Sequence, residues 1–203
     1  MAVGDPGGAF TRVQVLAKVR DILDLFTPEE PELDLRAIRT RSGLPASTCL
    51  RLLQNMELDG LLDQRAGVYR IGLAMVRWAS VARHGLGLVE VAGPELRRVR
   101  DAVGETTGLF VRTGRLRVCV GLAEGPEVVG RRLTVGHVAP LHANAAGKAI
   151  LAHDPDALLA LDGVELEHFT PRTRTAEELP GELAEIRARG YAVSLGEWNE
   201  QVG

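Results

Sequence analysis

Apolar residues recur with the 3.6-residue period of an α-helix in the first quarter of the chain. Four of them define one face of a first predicted helix: Val15, Val19, Ile22 and Phe26. Two shorter helical segments follow, from Leu35 to Ser42 and from Ser47 to Met56, on either side of a turn that begins at Gly43. The pattern therefore predicts a three-helix unit that contains a helix-turn-helix.

The last of these helices has two chemically distinct sides. The apolar side, at i, i+3, i+4 and i+7, comprises Cys49, Leu52, Leu53 and Met56. The polar side comprises Ser47, Thr48, Arg51 and Asn55. Arginine pairs with guanine edges or phosphates, asparagine pairs with adenine, and small hydroxyls reach phosphate oxygens. The polar side is a candidate surface for reading the major groove, with an ordinary solvated helix face as the alternative.

A hairpin follows the third helix. The residues from Leu61 to Ile71 read as two strands around a tight turn, and Gly67 supplies the permissive backbone of that turn. This order of elements, with a helix, a helix-turn-helix and a hairpin, is that of a winged helix-turn-helix. It favours the interpretation that the polar side of the third helix reads the major groove. We therefore predict that Arg39 and Arg41 hold phosphates and that Arg65, near the hairpin tip, reaches the DNA backbone or the minor groove.

A largely apolar segment from Leu73 to Arg83 comes next. Such a helix exposes apolar side chains unless it packs on another surface, so it predicts dimerisation or, alternatively, a helix that caps its own domain. Gly85 and Gly87 then mark a boundary. The predicted organisation is a winged helix-turn-helix domain at residues 1–72, a linker helix at 73–86 and an effector-binding domain at 87–203.

The second domain mixes helical and strand patterns. Its predicted helices lie near Val91–Val103, Ala145–Ala152 and Glu177–Arg189. Its predicted strands lie near Thr107–Val111, Leu116–Ala123, Val128–Val135 and Tyr191–Leu195. Hairpin-length turns join several of these strands, which indicates an antiparallel sheet with helices on it and an α+β fold.

One helix start in this domain is a candidate anion site. Asn144 fits the N-cap position, and the small residues around it allow an anion to approach the backbone N–H groups. The candidate effector contacts are Ala143, Asn144, Ala145, Ala146 and Gly147. Arg131, Arg132 and Lys148 either supply charge to such a ligand or lie in solvent. An ordinary capped helix is the alternative for the segment.

Charge and motifs narrow the function further. The chain has 24 basic and 27 acidic residues, yet its basic segment from Leu35 to Met56 contains no acidic residue, which favours docking on DNA in one orientation. No phosphate loop, nucleophile elbow or metal-ligand spacing is present, so we expect no catalytic residue, metal or cofactor. Cys49 and Cys119 are predicted to be reduced core thiols. Neither a signal peptide nor a membrane span is apparent, so we expect a cytoplasmic protein.

Three motifs, in this order and spacing, resemble the IclR family of bacterial transcriptional regulators. They are Gly43–Thr48 leading into Arg51–Leu53, Pro140–Ala149, and Glu185–Val193. The resemblance implies an N-terminal winged DNA-binding domain, a linker helix and a C-terminal GAF-like domain for a small organic effector, often a carboxylate or an aromatic metabolite. It also implies a homodimer or homotetramer.

The same resemblance bears on the effector domain. Relatives place acidic residues near the effector where this chain offers only Glu197, and they usually continue past Gly203, so we expect an incomplete effector domain. The sequence thus predicts a regulator that binds a double-stranded DNA operator under the control of a small organic effector. A small-molecule-binding enzyme with an accessory winged domain is one alternative, and a DNA-binding regulator that has lost effector sensing is another.

Overall fold

The computed structural model describes residues 13–126 and 133–200. These residues form two units, the first ending at Leu86 and the second beginning at Gly87. The elements of the first unit are α1 (Gln14–Leu23), β1 (Leu33–Asp34), α2 (Leu35–Ser42), α3 (Ala46–Leu58), β2 (Leu62–Arg65), β3 (Val68–Ile71) and α4 (Leu73–Leu86). The elements of the second unit are α5 (Leu88–Val103), β4 (Thr107–Thr113), β5 (Leu116–Ala123), β6 (Val138–Pro140), α6 (Ala145–His153), α7 (Pro155–Leu159) and α8 (Leu179–Arg189). None of the described helices is long and apolar enough to cross a bilayer.

Helices α1, α2 and α3 share one apolar core. Each contributes a completely buried side chain, namely Ile22, Ile38 and Leu53. Burial of side chains of this size stabilises a fold by about 1.5–3 kcal/mol each. The Asp34 carboxylate caps the start of α2 by accepting a hydrogen bond from the N–H of Ala37 at 2.7 Å. These contacts confirm the predicted helix-turn-helix.

A small antiparallel sheet in the order β1-β3-β2 completes the first unit. The turn between β2 and β3 places Ala66 and Gly67 at φ angles of 51° and 85°, as a type I′ turn requires. Arg65 is the last residue of β2 and lies next to this turn. Strand β1 pairs with β3 through Leu33 and Tyr69, and its two residues are too few to give a sequence pattern.

Two boundaries in the first unit differ from the prediction. Helix α1 ends at Leu23, so Phe26 packs on the core from the following loop, and Val15 is 49% exposed. Helix α3 begins at Ala46, with Pro45 as its N-cap residue. Apolar spacing identifies the buried face of a helix, whereas its end residues depend on the flanking chain.

The second unit contains an antiparallel sheet in the order β4-β5-β6. Helix α5 packs on β4 and β5, and α6 packs on α8. The core between α6 and α8 includes Leu141, Leu151, Leu183 and Ile186. Strand β5 buries alternate residues, beginning with Arg117. The fold is therefore α+β, as the sequence predicted.

The predicted strand from Tyr191 to Leu195 is wrong. This segment joins no ladder among the described residues, and its Tyr191 carbonyl instead accepts a hydrogen bond from Arg189 Nε at 2.7 Å. A strand requires a neighbouring strand for its backbone groups, which an apolar pattern alone does not supply. The predicted strand at 128–135 lies mostly outside the described residues, as do Arg131 and Arg132.

Candidate functional sites

Helix α3 exposes its polar side and buries its apolar side. Ser47, Arg51 and Asn55 are exposed and Thr48 is half-buried. The opposite side, consisting of Cys49, Leu52, Leu53 and Met56, is buried. A helix anchored along one side presents the other as a rigid surface, which is the geometry of a recognition helix. The structure thus brings the four predicted reading residues together on one face.

The arginines near this face differ in their partners. Arg39 and Arg51 form no ion pair within the described ranges, so both guanidinium groups can donate hydrogen bonds to a phosphate or a base edge. Arg41 donates two hydrogen bonds to Glu30, that from Nη2 to Oε1 being 2.8 Å long. These hydrogen bonds hold the pKa of the Glu30 carboxyl below its ordinary value.

Arg65 of the hairpin also has a carboxylate partner. Its Nε lies 3.1 Å from Oδ2 of Asp63 on the same strand. The side chains of this pair are 75% and 47% exposed, and exposed ion pairs contribute little to stability. Arg65 can therefore exchange Asp63 for a phosphate oxygen at small energetic cost.

Asn144 determines where α6 begins. Its Oδ1 accepts a hydrogen bond from the N–H of Gly147 at 2.8 Å, and its Nδ2 donates to the Pro140 carbonyl at 2.6 Å. This confirms the predicted N-cap. Ala145 and Ala146 are half-buried, and their N–H groups precede the first intrahelical hydrogen bond. Such N–H groups are the part of a helix that attracts anions.

Gly147 packs against the chain that leads into α6. A Cβ atom at this position would lie 2.2 Å from the carbonyl oxygen of Leu141. The glycine therefore permits a close backbone approach, and its N–H is already bonded to Asn144. This differs from the expectation that Gly147 leaves room for an anion. Ala143, on the segment that precedes the helix, is completely buried.

Lys148 is a buried cation rather than a surface residue. Its side chain is 0% exposed, and Nζ lies 2.5 Å from Glu182 Oε1 and 2.6 Å from Glu197 Oε1. Arg174 Nε lies 3.2 Å from the other oxygen of Glu182. Glu197, which the sequence assigned to the effector, thus contacts α6 through Lys148. Its Oε2 is buried without a hydrogen-bond partner in the part of the chain that the structure describes.

Sequence reasoning missed Arg117, which is only 6% exposed on β5. Its Nε donates to Asn144 Oδ1 at 2.6 Å, and its guanidinium carbon lies 4.2 Å from the centre of the Phe110 ring. Burial lowers the pKa of the Arg117 guanidinium. The alternation along β5, which places position 117 on the same side as the buried Cys119, is the signal that could have revealed it.

Histidine, cysteine and acidic side chains among the described residues are the remaining candidates for metal binding or catalysis. They contain no group of three or more His, Cys, Asp and Glu side chains that could hold a metal ion. The His142 ring packs near Phe169 and its Nε2 lies 2.9 Å from the Glu167 carbonyl, which is a structural contact. Cys49 and Cys119 are buried free thiols, and burial raises the pKa of each.

Two family models match the amino-acid sequence, in the order of the two units. The model of the IclR helix-turn-helix domain matches residues 15–66. The model described as bacterial transcriptional regulator IclR C-terminal matches residues 81–203. The chain belongs to the IclR family. The first unit of this IclR-family regulator therefore carries its DNA-binding helix-turn-helix. The second unit falls within the region matched by the C-terminal model of the family.

Individual relatives agree with this assignment. The HTH-type transcriptional regulator XynR of Escherichia coli is 32% identical over 194 residues, which cover 93% of this chain and 77% of XynR. An IclR transcriptional regulator from Alicyclobacillus acidocaldarius is similar in structure, with a TM-score of 0.76, 28% identity and coverage of 93% and 78% of the two chains. An IclR homolog from Microbacterium hydrocarbonoxydans, crystallised with 4-hydroxybenzoate, gives a TM-score of 0.73, 28% identity and coverage of 92% and 79%.

Proposed function

We propose that this IclR-family regulator reads a paired DNA operator with α3, and that a small organic effector at the start of α6 changes its affinity for that operator. The exposed polar side of α3 carries the proposal, because it combines guanine-, adenine- and phosphate-binding groups on a helix anchored by its opposite side. The residues that enter the major groove are Ser47, Thr48, Arg51 and Asn55. The residues that hold the DNA backbone are Arg39, Arg41 and Arg65.

The effector site is assigned to the segment around the start of α6. Its members are Ala143, Asn144, Ala145 and Ala146, with Glu197 attached through Lys148, while Gly147 shapes the segment by packing closely against Leu141. Support comes from the N–H groups of Ala145 and Ala146, which have no acceptor within the helix and attract a negatively charged ligand. The 4-hydroxybenzoate bound to the Microbacterium homolog is a small organic acid of this kind.

Arg51→Ala should weaken operator binding by about 1–3 kcal/mol, because it removes the only cationic group on the polar side of α3 among the four reading residues. The operator is first obtained by capturing genomic fragments with the purified protein. Fluorescence anisotropy at physiological salt then compares the wild type with the variant. Arg98→Ala on α5 removes an equally charged, exposed arginine and should leave the affinity unchanged. Equal affinity of Arg51→Ala and wild type would refute the assigned face.

We further propose that α4 mediates association between copies of the chain. No residue of α4 is buried, and its Leu73, Val76 and Val81 are 85%, 64% and 69% exposed. Exposed apolar side chains along one helix are typical of a protein interface. A two-fold dimer also matches the two half-sites of a paired operator.

Val81→Glu should convert the dimer to a monomer, because it introduces a charge into the apolar surface of α4. Sedimentation of the full chain at a series of concentrations measures the change. Leu159→Glu is a matched control, since Leu159 on α7 is also 69% exposed and apolar. A monomeric wild type, or a Val81→Glu variant that remains dimeric, would count against the interface.

A further inference from the structure

Arg117 is a buried cation without an anionic partner. It forms no ion pair within residues 13–126 and 133–200, although it is only 6% exposed. Its Nη1 is buried and has no hydrogen-bond acceptor among these residues. A guanidinium group remains charged at physiological pH, and a buried charge without a partner is costly. The second unit therefore contains a buried, charged hydrogen-bond donor with no acceptor in the part of the chain that the structure describes.

The surroundings of Arg117 direct this donor toward the start of α6. Its Nε is bonded to Asn144, which is also the N-cap of the nine-residue α6. The guanidinium therefore lies beside the end of the helix where backbone N–H groups and the helix dipole attract negative charge. The face of the Phe110 ring covers one side of the guanidinium and supplies an apolar wall.

The neighbouring cations are already neutralised. Lys148 on α6 lies between two carboxylates, and Arg112, which is paired with Arg117 across β4 and β5, has its Nε 2.8 Å from Asp154. Of the described cations Arg112, Arg117 and Lys148, only Arg117 remains without a counter-charge. A ligand with a single negative charge balances it, whereas inorganic phosphate carries a mean charge between one and two and would exceed it.

We propose that Arg117 selects an organic monocarboxylate as the effector, with one carboxylate oxygen accepting from its Nη1 and the other facing the first turn of α6. This assignment rests on the proposed effector role of the segment 143–147. The apolar remainder of the acid packs toward Phe110. The carboxylate is a specificity determinant, because the same molecule without its charge leaves Arg117 uncompensated.

The test compares monocarboxylates with their neutral amides. The pairs are 4-hydroxybenzoate with 4-hydroxybenzamide, pyruvate with pyruvamide, and lactate with lactamide, and inorganic phosphate is measured alongside. Thermal unfolding and calorimetry of the full chain should show that at least one acid raises the Tm of the wild type and that its amide does not. Arg117→Met should weaken binding of that acid at least tenfold, and Arg117→Lys should recover part of the loss. Arg98→Met should bind the acid like the wild type.

Several results would overturn the assignment. They are a wild type that responds to no acid, a wild type that responds equally to acid and amide, tighter binding of phosphate than of any acid, and an Arg117→Met variant with unchanged affinity. The first three need no variant, so they apply even where Arg117→Met fails to fold. Binding of an acid through Arg117 with no effect on operator affinity would instead overturn the proposed regulatory function and leave the role of Arg117 intact.

Discussion

Lys148→Met should lower the free energy of unfolding of the second unit by about 3–5 kcal/mol, the usual consequence of removing one partner from a buried ion pair. Methionine replaces most of the lysine volume, so the main loss is the charge. Glu182 and Glu197, whose side chains are 13% and 7% exposed, are then left without the cation that compensates them. Urea unfolding measures the effect, with the fluorescence of Trp198 as the signal in a Trp78→Phe background.

A second variant separates charge from packing. Adding Glu182→Gln and Glu197→Gln to Lys148→Met removes the stranded carboxylates, and most of the lost stability should return because none of these three positions then carries a buried charge. Arg98→Met breaks the exposed pair with Glu95 and should have no measurable effect. A Lys148→Met variant within about 1 kcal/mol of the wild type would show that water, rather than lysine, compensates the two carboxylates.

The local pattern of apolar and polar residues was sufficient to predict most helices and strands of the fold. The apolar positions of α3 identified its buried side, because four side chains at helical spacing can meet only one core. Strand β5 was predicted with the bounds Leu116–Ala123 that the structure has. Asn144 was identified as an N-cap from its own chemistry and the small residues after it. In each case the decisive interactions lie within a few residues.

Interactions between distant segments could not be predicted in the same way. The sequence around Lys148 fits a buried lysine and a solvent-exposed lysine equally well. The partners that bury it, Glu182 and Glu197, are 34 and 49 residues away along the chain. Arg117 reaches Asn144 across 27 residues. The failed strand from Tyr191 to Leu195 has the same origin, since strand formation depends on a neighbour that its own pattern does not specify.

These distant contacts converge on α6. Its first residue is positioned by Asn144, which also receives Arg117 from the sheet, and its second turn carries Lys148 to the carboxylates of Glu182 and Glu197. A ligand that adds or removes charge at the start of α6 therefore acts on a helix with polar connections to both β5 and α8. Small shifts of a packed helix can change the conformation of a whole domain, because packed elements move between discrete arrangements.

Gly147→Ala should reduce the stability of the second unit by about 3 kcal/mol or more, beyond the usual cost of an overpacked side chain. The added Cβ would lie 2.2 Å from the Leu141 carbonyl oxygen and 2.6 Å from its carbonyl carbon. These are backbone atoms, so no change of rotamer relieves the overlap. Moving the helix away instead strains the short connection from Leu141 to Asn144, which is held by the hydrogen bond from Asn144 Nδ2 to the Pro140 carbonyl. Urea unfolding followed by Trp198 fluorescence is again the measurement.

Gly181→Ala on α8 is the matched control for this prediction. A Cβ at position 181 meets nothing within 4 Å, so alanine there should stabilise the helix by about 0.5–1 kcal/mol through its higher helical propensity. The two substitutions are chemically identical, and both lie within the first three residues of a helix. If the two variants change the free energy of unfolding in opposite directions, the backbone contact with Leu141 is identified as the cause. Stabilisation by both would mean that the segment before α6 moves freely, and the rigid framework required for the effector site would be lost with it.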